Sequence, residues 1–212
     1  MLPESIVVLD FETSGLYCDQ GDRIIEVAAL RVVDRHIVER FETLVCSPVH
    51  LPRSIAKFTG ISIEMIDQAP VAEQVIPDLL EFLGNDLVVA HNAAFDQAFL
   101  ENECSRFQLH SPRADFFCTV KLARLLFPEM QSHALGPLAC SLGLEFMPGA
   151  HRAGADAQAT VGVLLRLMDI LNSRYSINGL SMWQLQLILQ LPAPQAIDML
   201  NRAANHSEIR AA

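Results

Sequence analysis

The chain has no C-x-x-C pair, no low-complexity tract, no internal repeat and no apolar run long and uninterrupted enough to span a bilayer. Each absence removes a class of function. The five cysteines, Cys18, Cys46, Cys104, Cys118 and Cys140, are scattered and odd in number, which argues against a disulfide framework and against a zinc site. Positive charge is also scarce. With 15 Lys and Arg against 25 Asp and Glu, the formal net charge is −10, and the broad basic footprint that coats duplex DNA or a membrane surface is missing. The opening "MLPESIVVLD" lacks the basic start, apolar middle and small-residue cleavage site of a signal peptide. A cytoplasmic protein that does not engage a membrane is therefore expected.

What is present is a core. The chain is 51% hydrophobic over 212 residues, enough to bury a substantial interior in one domain with a small appendage. The first half reads as strands: "SIVVLD", then "RIIEVAALRVVD" and "HIVERFETLVC" as a meander. "CSPVHLPRSI" reads as a proline-broken loop, and Ser62 after "KFTGI" as the N-cap of a short helix. Helical spacing follows from Ala72 to Leu83, closed by Gly84, and "DLVVAHN" is a short buried strand. Further helices are expected over "AAFDQAFLENECSRF", from Cys118 to Phe127, from Ala134 to Leu142 and from Ala153 to Leu171, with His133 as a surface or capping residue. Strands first and strand–helix alternation later predict an α/β fold, a mixed sheet flanked by helices. Residues 1–172 form the main domain in this reading. Residues 173–212 form a C-terminal helical extension, with an apolar helix around Trp183, a Pro-Ala-Pro break and a second short helix.

Three acidic motifs stand out. In "IVVLDFETSG" an apolar strand acquires Asp10 and Glu12 at its far end, and residues two apart on a strand share a face, so the two carboxylates project together while Phe11 points away. "VVAHNAAFDQAFL" ends a second strand and places Asp96 in the first turn of a helix; "HRAGADAQAT" places Asp156 in an early helical turn, five residues after His151. Taken singly, each has an ordinary explanation, as solvated carboxylates at a sheet edge or as acids that complement a helix dipole. Taken together, they put acids where strands end, a common ligand position in open α/β sheets. Four converging carboxylates need cations, and hard oxygen donors suit Mg²⁺ or Mn²⁺.

In this order and spacing "DFETSGL", "HNAAFD" and "HRAGADAQAT" resemble the three exonuclease motifs of the DEDDh 3′→5′ exonucleases, the family that includes the DNA polymerase III epsilon subunit and exonuclease X. The resemblance covers about residues 5–171, and "KFTGIS" is similar to a further family segment. It implies a ribonuclease H-like fold with a five-stranded mixed sheet, and two Mg²⁺ ions, replaceable by Mn²⁺, held by Asp10, Glu12, Asp96 and Asp156. It implies that His151 deprotonates the attacking water and that a nucleoside 5′-monophosphate leaves a DNA 3′ end, in repair or in polymerase proofreading. For the 3′-terminal nucleotide it points to Thr13, Ser14, Gly15 and Leu16, to Asn92 and Phe95, and to Phe58 with Ile61 as a base-separating wedge. Phe95 also fits a core position at helical spacing. The substrate implied is a nucleic-acid 3′ end, foremost single-stranded DNA, with a polymerase or repair protein meeting the C-terminal extension. An exonuclease that processes RNA 3′ ends and an inactive scaffold of the same fold are the alternatives.

Overall fold

A computed structural model describes residues 5–112, 116–146, 151–176 and 180–211, with side chains to 204. Its centre is a sheet of five strands, β1 (Ile6–Thr13), β2 (Ile24–Val33), β3 (His36–Leu44), β4 (Leu87–Ala90) and β5 (Phe117–Cys118), in the order β3-β2-β1-β4-β5. β1, β2 and β3 form the expected antiparallel meander, and β4 and β5 add in parallel to β1. The carboxyl ends of β1, β4 and β5 therefore share one edge.

The sheet is covered on both faces, and alternation along β1 decides which side chain goes where. Ile6 and Val8 face the helices α5 (Thr119–Leu126), α6 (Leu135–Ser141) and α7 (Ala153–Tyr175). Val7, Leu9 and Phe11 face α3 (Ala72–Leu83) and α4 (Ala94–Arg106). Asp10 and Glu12 continue the Ile6–Val8 face, so they point toward α7, and Phe11 points the other way. Ile6, Val7, Val8 and Leu9 are at most 1% exposed, and at about 1.5–3 kcal/mol per buried aliphatic side chain they anchor the strand that carries the acids.

The start of α7 lies close to the sheet because its residues are small. Ala153 and Ala157 are buried, and a Cβ at Gly154 would sit 2.8 Å from a Glu42 carboxylate oxygen on β3. A side chain there would have to displace the Glu42 carboxylate.

Several elements differ from the sequence reading. The "proline-broken loop" contains a helix, α1 (Arg53–Thr59), closed by Gly60 at φ 72°. The expected short helix follows as α2 (Ile63–Asp67), its Met65 N–H donating to the Ser62 hydroxyl. β5 is only two residues long and carries no alternation to detect. At the C-terminal end α7 continues to Tyr175, so the boundary placed after residue 172 falls inside a helix. The polar turn beyond it lies partly outside the described residues, at 177–179.

The Pro-Ala-Pro segment separates two helices as expected, α8 (Met182–Ile188) and α9 (Ala193–Ala211), but the second is long rather than short. Met182, Leu185, Ile188, Ala196 and Leu200 are buried in the same cluster as Ile6 and Val8. The extension thus completes the core on the α7 side. Among the described residues no helix is long and apolar enough to cross a membrane, and all five cysteines are free.

Candidate active site

Asp10 and Glu12 from β1 meet Asp156 from the first turn of α7, and one carboxylate oxygen from each lies within 4.8 Å of the others. Asp96 approaches from the opposite face of the sheet, where its Oδ1 accepts the Phe11 backbone N–H at 3.2 Å. It thereby reaches the strand between the two acids without joining the three-carboxylate cluster. Burial raises the Asp10 carboxyl well above the usual range, with the charges of Asp96, Asp156, Glu12 and Glu26 adding to the effect. Glu12 is pushed up to about 8, by burial first and then by Asp156 and Glu26, against a lowering pull from Arg152. Asp96 also rises to about 8 through burial, although N–H donors at its own backbone and at Phe11 oppose the shift. Asp156 is raised by burial and partly restored by His151.

Ionising these acids together is therefore opposed by burial and by their mutual repulsion, which a bound cation would relieve. The donor set is entirely carboxylate oxygen, with no thiol or imidazole among the three residues. A hard divalent ion such as Mg²⁺ or Mn²⁺ fits it.

His151 stands beside the cluster. Its Nδ1 lies 3.1 Å from Asp156 Oδ2 and donates to it, which leaves Nε2 as the acceptor, with no protein partner among the described residues. Phe58 holds the ring from the other side, stacked at 3.9 Å between centroids and 16° between planes, while the His151 N–H donates to the Phe58 carbonyl at 3.1 Å. A cleft of about 680 Å³ opens from His151 and Asp156 between α6 and α7, lined also by Leu135, Phe146 and Ala159.

Two residues that the motif reading passed over complete the arrangement. Glu26 lies directly opposite Glu12 in the β1–β2 register. It accepts two hydrogen bonds from Arg152 Nε, at 2.9 and 3.1 Å, one from Arg152 Nη2 at 2.5 Å, and one from the Ala153 N–H at 2.9 Å. This fork ties β2 to the start of α7, the segment that carries both His151 and Asp156. A signal was available in the sequence, since Glu26 is a lone acid inside the apolar run "RIIEVAAL".

The expected nucleotide-binding residues divide by exposure. Leu16 is 68% exposed and Phe58 53% exposed, and Asn92 is exposed at the carboxyl end of β4, in the left-handed region at φ 67°. Ile61 is fully buried against Ile25 and Ile66, so it presents no surface to a base; as a wedge residue it is corrected to a core residue. Ser14 is buried too: its backbone N–H donates to the Arg23 carbonyl, and its hydroxyl donates to Asp22 and accepts from the Arg23 N–H. The Thr13 hydroxyl donates to the Gly15 carbonyl at 2.6 Å. At Gly15 the Asp22 carboxylate occupies the place a Cβ would take, so an internal contact already favours the glycine. Phe95 is half-buried and tilted against Phe99, on the core side.

His133 is not simply a surface residue, because its carbonyl accepts from His91 Nε2 and its own Nε2 donates to the Phe127 carbonyl, each at 2.9 Å.

A ribonuclease H-like sheet with this ordered set of acids and the adjacent histidine defines a nuclease class. The family model RNase_T, described as exonuclease, matches residues 7–164, and the chain belongs to this family of DEDDh-type 3′→5′ exonucleases. It is similar to the DNA polymerase III subunit epsilon of Aquifex aeolicus, 34% identical over 177 residues that cover 84% of this chain and 87% of the relative. It is also similar to the DNA polymerase III PolC-type of Clostridium perfringens, 37% identical over 163 residues; these are 76% of this chain but only 11% of that much longer relative. Among solved structures it resembles exonuclease X in complex with 5′ overhanging duplex DNA, at 29% identity and a TM-score of 0.61, over 94% of this chain and 99% of the other. The nuclease domain of 3′hExo, bound to rAMP, shares the fold at 19% identity and a TM-score of 0.67, over 78% of this chain and 92% of the other.

Proposed function

We propose that this chain removes nucleotides one at a time from DNA 3′ ends, as a repair or proofreading exonuclease. The observation that carries the reading is the Asp10–Glu12–Asp156 cluster with His151 held on Asp156 by Nδ1 and open at Nε2. Asp10, Glu12 and Asp156 would hold one Mg²⁺ or Mn²⁺, with Asp10 shared toward a second and Asp96 assisting. When bound, the ions supply positive charge for the phosphate and the departing oxygen.

The residues of the chain then divide the work. His151 Nε2 takes a proton from the water that attacks the terminal phosphorus, and Asp156 stabilises the resulting imidazolium through Nδ1. The bond from phosphorus to the 3′ oxygen breaks, that oxygen takes a proton from solvent, and a nucleoside 5′-monophosphate leaves. Leu16 and Phe58 have exposed apolar surface to offer the terminal bases, and Asn92 exposes an amide nearby; Ser14 and Ile61 take no part.

DNA is the favoured substrate because relatives of at least 30% identity carry DNA polymerase III names. A polymerase partner would meet the C-terminal helices, where Trp183 and Leu187 lie exposed one turn apart on α8. The test is digestion of 3′-labelled single-stranded DNA, duplex DNA, a mismatched end and RNA with Mg²⁺ or Mn²⁺. The expected result is mononucleotide release that prefers DNA and is lost in Asp10→Asn. Release from RNA alone would shift the reading to RNA processing, and no release from any substrate would overturn it.

A further inference from the structure

A second cleft, of about 350 Å³, lies where α8 packs beside the start of α4, β5 and α5. Its polar lining is of one kind. Lys121 and Arg124 contribute two cations from one face of α5, and Asn92, Gln97, Gln186 and Gln190 contribute amides from β4's end, α4, α8 and the turn after α8. No carboxylate lines the cleft among the described residues, in a chain whose net charge is −10. Lys121 and Arg124 are both exposed, and neither has an ion-pair partner among the described residues.

The place of the cleft gives the cations a use. Lys121 sits in the first turn of α5, directly after β5, so it stands on the same carboxyl edge as Asp10. Two strand spacings, roughly 10 Å, separate β5 from β1 in the sheet. Asn92 and Ala93 line the cleft and lead into the turn that carries Asp96.

Building on the exonuclease reading above, we propose that the cleft bounded by Lys121, Arg124 and α8 is a phosphate-backbone site for the nucleic-acid strand whose 3′ end occupies the carboxylate cluster. Phe116 and Phe117, the aromatic residues of the lining, are buried, so the cleft offers no stacking platform. The contact is to phosphates and is indifferent to sequence. It gives an acidic protein a local grip on the strand, and it gives the C-terminal region a part in substrate binding through Gln190, in the turn between α8 and α9.

The experiment measures binding of a short fluorescent single strand across a salt series, in an Asp10→Asn background that prevents digestion. It compares the parent with Lys121→Glu/Arg124→Glu and with Arg106→Glu/Arg166→Glu, which makes the same charge change at exposed positions outside the cleft. The cleft pair should bind roughly tenfold more weakly, with the salt slope smaller by about 1.4, the value for two lost single-strand phosphate contacts. Gln190→Glu should weaken binding in the same direction.

Hydrolysis of a nitrophenyl ester of thymidine 5′-phosphate, too small to reach the cleft, should be unchanged when the cleft pair is made in the active protein. Unchanged affinity and slope would overturn the proposal, as would an equal loss in the Arg106/Arg166 control or an equal loss on the small ester. If the parent binds the strand but hydrolyses neither substrate, the exonuclease reading fails while the binding result still decides the cleft.

Discussion

Two histidines stand on the same edge of the sheet and could hardly be used more differently. His91, at the end of β4, has both nitrogens engaged: Nε2 donates to the His133 carbonyl and Nδ1 accepts from the Thr119 hydroxyl, each at 2.9 Å. Burial then pulls its pKa down to about 4, and the ring is a neutral joint between β4, α5 and the turn before α6. His151, at the entry to α7, has Nδ1 on Asp156 and leaves Nε2 open toward the cleft. A satisfied histidine stabilises, whereas a half-satisfied one beside unneutralised carboxylates is equipped to move a proton. The carboxylates follow the same division, since Glu26 is neutralised by the Arg152 fork while Asp10 and Glu12 are not.

The comparison can be broken most sharply at Asp10. Asp10→Asn should cost about 10²–10³-fold or more in rate, yet melt higher than the parent in chelator, because a repelled buried charge is removed. A lower melting temperature in chelator would show that the carboxylate cluster is not under electrostatic load.

Exchanging the histidines is the next test. His151→Ala should lower kcat by about 10²–10⁴-fold with little change in melting temperature. His91→Ala should do the reverse: by removing the donor to the His133 carbonyl and the acceptor for the Thr119 hydroxyl, which keeps only its longer bond to the Ala90 carbonyl, it should cost about 1–3 kcal/mol in stability, while the folded fraction keeps its kcat. Urea melts and rates normalised to folded protein separate the two.

Glu26→Gln sharpens the contrast among the carboxylates. It keeps the shape but weakens the hold on Arg152, so kcat should fall by about tenfold with KM nearly constant, through misplacement of His151 and Asp156. Combined with Arg152→Ala, the loss should be less than the product of the two single losses. A purely additive pair would mean that the fork does not position the α7 start.

The smallest effect is in pH. Glu12 and Asp96 are raised to about 8 in the fold from ordinary values of 4.5 and 3.8. Between those limits the folded chain holds protons that the unfolded chain has released, so metal-free stability must fall as pH rises. His91 acts in the opposite sense. Its folded value of about 4 lies below the ordinary 6.5, so its stability is complete above pH 6.5 and is lost as pH falls toward 4. The two effects oppose below pH 6.5, and the net decline should be steepest between about 6.5 and 8. Thermal melts in chelator should show that decline, and added Mn²⁺ should flatten it.

Local pattern and global packing contributed unequally to what could be read in advance. The helices α3, α5 and α7, the Phe95, Phe99 and Leu100 spacing in α4 and the alternation around Phe11 were legible, because hydrophobic period is a local property of the chain. α1 was hidden by prolines that precede it rather than interrupt it, and two-residue β5 was too short for any period. Ile61 and Ser14 looked available for substrate because burial depends on partners outside the motif: Ile25 for Ile61, and Arg23, across the loop between β1 and β2, for Ser14.

By itself, then, the sequence determined that Asp10 and Glu12 share one face, that Asp96 and Asp156 open helices, and that His151 precedes Asp156 by five residues. Spacing along a strand or a helix is set by the backbone alone. Only the tertiary structure decided that three of the acids converge while Asp96 is held against the Phe11 N–H, that Arg152 is spent on Glu26 rather than on Glu12, and that His91 is closed while His151 stays open. Apart from the local Asp10–Glu12 and His151–Asp156 neighbours, those outcomes join residues from 28 positions apart (His91 and Thr119) to 146 (Asp10 and Asp156), and only the folded chain brings such partners together.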